Sequence, residues 1–130
     1  MNQKKATVFL LLWLVFGFSV FAISCTENGF VGNREAASNS YLLEIESMNG
    51  SDLHNMELNE GDTLEILFET EKGVLQMRIK APNGAVIYEG NGKEITDFTI
   101  NISESGVYTI NVEAKGAKGT IHIQTKEKTR

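Results

Sequence analysis

Few side chains in this chain could do chemistry. Its 130 residues hold one cysteine, Cys25, and two histidines, His54 and His122. A zinc site needs three or four nitrogen or sulfur ligands, so no metal site is expected. A Ser-His-Asp set could be drawn from scattered residues, but no Gly-x-Ser-x-Gly elbow or comparable context presents a nucleophile. No catalytic residue is assigned, no cofactor is expected, and the chain is not read as an enzyme. Asp52, Glu57, Glu60 and Asp62 fall close together in sequence and could offer calcium the oxygen ligands it takes from loops. Their spacing does not match an EF-hand loop, and acidic turns usually only solvate. Sugar binding wants an exposed aromatic platform, for which Tyr41 and Tyr88 are the candidates. The remaining chemistry is that of the Cys25 thiol.

The elements around Cys25 explain its position. Residues 1–5 carry Lys4 and Lys5 and no acid, and residues 6–23 are uncharged, rich in Phe, Leu and Val, and hold the only tryptophan, Trp13. A basic start, an apolar run and small residues at its end make a secretory signal, with the lysines kept on the cytoplasmic side. Eighteen apolar residues are also just long enough to remain as a membrane helix, and plain secretion is a third reading. The cysteine decides among them, because a lone cysteine in an exported chain is unpaired unless it is modified or joined to another molecule.

Ala22-Ile23-Ser24-Cys25 closes the apolar run and resembles the lipobox of bacterial lipoproteins, with Ala22 where leucine is more usual. The resemblance covers residues 1–26. It implies that a transferase places diacylglycerol on the Cys25 thiol and that a peptidase then cuts between Ser24 and Cys25. Each buried methylene contributes about 0.8 kcal/mol and stable anchoring takes two chains, which a diacylglyceryl group supplies. The expected location is the cell membrane, lipid-anchored and facing the extracytoplasmic side. The partners expected are that membrane, through the anchor, and a protein of the cell envelope.

Removing residues 1–24 takes away two of the 12 bases and none of the 17 acids, so the net charge moves from −5 to −7. An acidic domain argues against nucleic acid or anionic lipid as a partner. The lysines, among them Lys72, Lys80, Lys93, Lys115 and Lys118, are scattered among acids in the sequence, which predicts no basic patch.

After Cys25 the chain divides into three. Residues 25–40 are polar and rich in Gly, Asn and Ser, which predicts a lipidated, flexible tether. Residues 41–125 show the period-two alternation of half-buried strands, and residues 126–130 read as a charged tail. Eight strands are expected, over 41–48, 56–58, 64–68, 75–79, 85–88, 98–102, 108–112 and 121–123. Turn signals rich in Gly, Asn and Ser stand between most of them, the pattern of an antiparallel sandwich or barrel. The fold class is therefore all-β, a single small antiparallel β-sandwich of the jelly-roll or immunoglobulin-like sort. Its predicted core is Leu64, Ile66, Phe68, Leu75, Met77, Ile79, Phe98, Ile100, Tyr108, Ile110, Val112, Ile121 and Ile123, with His122 facing solvent.

Within this domain the strand Leu75-Gln76-Met77-Arg78-Ile79, the turn Ala81-Pro82-Asn83-Gly84 and the strand Val86-Ile87-Tyr88 are followed by Phe98 and Ile100 and then by Gly106-Val107-Tyr108-Thr109-Ile110. This run is similar to a GOLD domain and nearly as similar to the pre-peptidase C-terminal modules of bacterial secreted enzymes. The cysteine pair of the cargo-family members is absent. What the resemblance implies is a sandwich and a binding role, with no catalytic residue. The expected function is a membrane-tethered lipoprotein carrying a non-catalytic interaction module. A glycan- or ion-binding lipoprotein is the alternative.

Overall fold

The computed structural model of the chain describes residues 29–127, so the signal segment, Ser24 and Cys25 lie outside the described residues. The described chain is all-β: β1 (Gly29–Ala37), β2 (Ser40–Leu58), β3 (Thr63–Lys80), β4 (Val86–Gly90), β5 (Asp97–Asn101) and β6 (Gly106–Lys126). All pairings are antiparallel, in the order β1-β2-β6-β3-β4, with β5 also on β3.

Six strands stand where eight were expected, because three expected pairs are continuous and one strand, β1, was not expected. Strands β2, β3 and β6 run for 19, 18 and 21 residues, and each carries two of the alternating runs. The alternation changes phase midway. Buried residues are Tyr41, Leu43 and Ile45 but then Met48, Met56 and Leu58 on β2. They are Leu64, Ile66 and Phe68 but then Leu75, Met77 and Ile79 on β3. On β6 they are Tyr108, Ile110 and Val112 but then Ala117, Ile121 and Ile123.

The register explains the change. β2 gains a residue between Ile45 and Met48, β3 between Thr70 and Lys72, and β6 between its Lys115 and Lys118 pairings. An extra residue bends a strand and reverses which face the following side chains occupy. Three such irregularities side by side fold one sheet over on itself. Gly73 and Gly116 face each other at this level with φ of +69° and +52°, and a Cβ on Gly73 would run into the Gly116 carbonyl.

The fold-over is visible in distances. Phe98 pairs with Ile66 and Tyr88 pairs with Ile79, thirteen residues apart on β3, which in a straight strand is about 43 Å. Yet the two rings stack with centroids 4.8 Å apart. The result is a sandwich whose halves are joined by three bent strands. One half holds β1, β5 and one end of each long strand; the other holds β4 and the opposite ends.

The predicted core is buried except Phe98 and Ile100, which are half-buried against it. Both sit on the short outer strand β5. His122 faces solvent, as expected. Two boundaries are corrected. The expected tether over 25–40 is, from Gly29 to Ala37, strand β1, paired along β2 with every residue exposed. Its sequence shows no apolar alternation because backbone pairing to β2, not burial, holds it. Lys126, expected in a charged tail, ends β6 opposite Thr63.

The end opposite the bend is closed by two crossing loops, 59–62 and 102–105. Gly61 N–H donates to Ile102 O (2.8 Å) and Ile102 N–H to Asp62 O (2.8 Å), while Glu60 N–H donates to Ser105 Oγ (2.8 Å). Tyr108 enters the core just after, and its hydroxyl donates to Glu104 O at 2.7 Å, the geometry of a tyrosine corner. Tyr108→Ala is expected to cost about 3–5 kcal/mol in urea melts, as buried aromatic truncations do. Tyr108→Phe, which removes only the corner bond, is expected to cost about 0.5–1.5 kcal/mol.

Candidate functional site

The described residues that bring unlike chemistry together are Arg34, Tyr41, Asp52 and His54. Folding of β2 makes the cluster. Tyr41 belongs to its first half and His54 to its second, thirteen positions on, yet their rings stack with centroids 4.9 Å apart and planes 20° from parallel. Arg34 comes from β1, where it pairs with Leu43. Its Nε lies 3.0 and 3.2 Å from the two carboxylate oxygens of Asp52, and its guanidinium carbon sits 5.9 Å from the Tyr41 ring centre. The Tyr41 hydroxyl donates to the same Asp52 carboxylate. His54 Nε2 lies 2.7 Å from Ala37 O, and since a carbonyl only accepts, Nε2 carries the proton.

The arrangement closes the sandwich along one open side. β1 covers only the first half of β2, so the second half is a free edge there. Arg34 and the Ala37 carbonyl reach across from β1 to that edge. On the other open side the Tyr88–Phe98 stack joins β4 to β5 in the same way. Tyr41 is fully buried, which overturns the expectation of an exposed ring ready to stack on a sugar. Tyr88 is half-buried and turned onto Phe98, so neither tyrosine offers a free platform.

Burial pushes the Tyr41 phenol well above its ordinary value. The hydrogen bond to Asp52 and the Asp52 charge add to that rise, and the nearby Arg34 opposes it. The phenol is therefore a donor at neutral pH, and the carboxylate accepts from both Tyr41 and Arg34. Chemically the four residues answer one another's polar atoms, an arrangement that fastens β1 and the two halves of β2.

Beside the cluster a groove of about 460 Å³ runs along Phe30, Arg34, Leu43, Met48, Asn49 and Asp52. Two smaller hollows lie elsewhere. One of about 300 Å³ sits under the 91–95 loop, beside Tyr88 and Phe98, and one of about 260 Å³ lies on the outer face between Arg78, Glu89 and Glu113.

The four acids weighed for calcium go to different tasks. Asp52 is in the cluster, Glu57 is exposed on β2, and Glu60 is exposed in the crossing loop. Asp62 is buried and accepts from Asn59 N–H at 2.8 Å. Among the described residues no three His, Cys, Asp or Glu side chains gather as metal ligands. Arg34 and the pairing of His54 with Tyr41 were missed from sequence. Arg34 lies in the stretch read as tether, and the fold of β2 that brings His54 over Tyr41 has no local signal.

Asp52→Ala leaves the buried Tyr41 hydroxyl without an acceptor and is expected to cost about 1–3 kcal/mol. Arg34→Ala removes only a partly exposed ion pair and is expected to cost at most about 1 kcal/mol; urea melts of both decide. A second expectation concerns alkali. The unfolded phenol ionises near 10 while folded Tyr41 keeps its proton, so above that pH the native state binds more protons. Stability is then complete below pH ~10 and falls above it, by up to about 1.4 kcal/mol per pH unit for this group. Tyr41→Phe should flatten that fall in melts between about pH 8 and 11. An unchanged slope would count against the assigned donor.

No protein-family model matches this chain, and no curated protein matches it.

Proposed function

We propose that the protein is an exported bacterial lipoprotein, held by a diacylglyceryl group on Cys25 at the extracytoplasmic face of the cell membrane. Its sandwich then acts as a non-catalytic interaction module for a protein of the cell envelope. The observation that carries the reading is Ala22-Ile23-Ser24-Cys25 at the end of the apolar run. Further support comes from the described domain. Its most chemically varied cluster is paired internally, which suits a binding scaffold better than a reaction centre. The similarity of 75–110 to GOLD and pre-peptidase C-terminal modules points the same way.

The groove of about 460 Å³ next to Arg34 and Asp52 favours a second reading, a lipoprotein that binds a small polar ligand. A glycan is disfavoured as that ligand, since both candidate aromatic rings are covered.

Cys25→Ser should leave an uncut precursor that takes up no labelled fatty acid, whereas the wild-type chain is labelled and shortened. Label on the mutant, or none on the wild type, would overturn the anchor. For the module, cross-linking the lipidated protein in its own envelope should give a discrete adduct with another protein. Only monomer on the gel would sink that part.

A further inference from the structure

β1 is the least committed strand of the sandwich. None of its residues is buried, and it pairs with β2 alone. Arg34 meets Asp52 and the Tyr41 ring, and Ala37 O meets His54, three more residues of β2. Since these contacts are all made to one neighbouring strand, the β1 of a second molecule could make them on the same β2.

The loop joining the two strands is a poor fit to them. Ala37 lies opposite Ser40, which leaves two residues, Ser38 and Asn39, to reverse the chain. Two-residue loops follow the twist of a hairpin when they are type I′ or II′, and both types require a positive φ. Among the described residues positive φ occurs only at glycines, so Ser38-Asn39 is neither. A loop of the remaining kinds splays the strands that it joins. The turn from β3 to β4, by contrast, has Gly84 at φ +87°. The backbone bond from Thr125 N–H to Asn39 O, at 3.0 Å, is made by the residue next to β2 and does not hold β1.

β2 is selective about what covers it. Gly32 sits at the irregularity in β1 with φ +149°, and a Cβ there would run into the Glu44 carbonyl. A replacement strand must bring a glycine to this register and, two places on, an arginine for Asp52. A second copy of β1 supplies both.

We propose that β1 is exchanged between two copies of this chain, each β1 completing the β2 edge of the other, with Ser38-Asn39 opening as the hinge. Exchange of an identical element keeps its contacts and is a low-cost route to a dimer. Opening also releases the loop from a turn that does not match its strands. The balance is set by that release against the freedom two molecules lose on pairing. The exchange needs neither lipid on Cys25 nor an envelope partner, so it stands or falls apart from the proposed function.

The test uses two differently tagged forms of the full-length chain, produced together and then treated with a mild oxidant. One form carries Glu35→Cys or Asn33→Cys on β1, the other Leu42→Cys or Glu44→Cys on β2. Glu35 lies opposite Leu42 and Asn33 opposite Glu44, at the Cα separation of about 4.5–5.5 Å that antiparallel partners show and disulfides accept. With β6 on its other side, β2 meets these positions of another molecule in register only if its own β1 has left. Disulfide dimers carrying both tags are expected for 35 with 42 and for 33 with 44, and not for 35 with 44 or 33 with 42. Each form mixed with the otherwise unchanged chain shows the background from Cys25. Ser38→Asn with Asn39→Gly installs a type I′ loop and should remove the mixed dimers, while an in-register pair placed in one chain still bridges internally. Mixed dimers absent where the internal bridge forms overturn the exchange. So do mixed dimers that ignore the register or persist with the Asn-Gly loop.

Discussion

The structure depends on one geometric constraint: three neighbouring strands each take in an extra residue at the same level. In a regular strand successive side chains point to opposite faces, so a sheet of three straight strands about 20 residues long would have a single apolar face and nothing to cover it. The irregularities at 45–48 of β2, 70–74 of β3 and 115–118 of β6 bend the sheet and shift the phase of every strand. Both halves then point their apolar residues inward. Leu43, Phe68 and Ile121 from one half and Met77, Ile79 and Ile110 from the other share one core. A single strand with the irregularity would break its pairing; three together keep the ladder and turn it.

Folding one sheet this way leaves the sides of the sandwich open, since the outer strands of the two halves are not joined. The protein closes each side with an aromatic stack that spans the gap, Tyr41 on His54 and Tyr88 on Phe98. The first is reinforced by Arg34 and Asp52 because β1 ends there and leaves the second half of β2 uncovered. An acid, a base, a phenol and an imidazole in contact look like catalytic material when taken singly. Their hydrogen bonds show them answering one another, and the buried phenol is a weaker acid than usual, as a structural donor should be.

The bend also gives the domain a direction. The sandwich begins almost immediately after Cys25 in sequence. With the proposed lipid in place, the bend, where β1 begins, lies near the membrane and the crossing loops face away from it. An envelope partner would meet the loop end or the flanking sheet faces.

Much of the fold was legible in the sequence because period-two alternation reports burial directly. The runs at 64–68, 75–79, 108–112 and 121–123 have the facing their residues predict, His122 included. Gly106 and Tyr108 mark the start of the last strand. Strand continuity was not legible: Gly116 stands among the glycine-rich turn signals, and only its close approach to Gly73 in space shows that the two mark bends within β6 and β3. The edge strand β1 was hidden because it buries nothing, so its residue types carry no periodic signal. Tyr41 is followed by Leu42 and Leu43, so alternation alone does not set its facing; its burial depends on a second segment of β2 folding back over it. The proposed lipid address, by contrast, would be a local linear signal, and the order of residues 1–25 alone carries the resemblance to it. The polar cluster and the Lys72–Lys118 pairing join residues far apart in sequence, from 34 to 54 in one case and from 72 to 118 in the other. Such neighbours exist only once tertiary folding has bent the long strands, because no local preference couples residues at that separation.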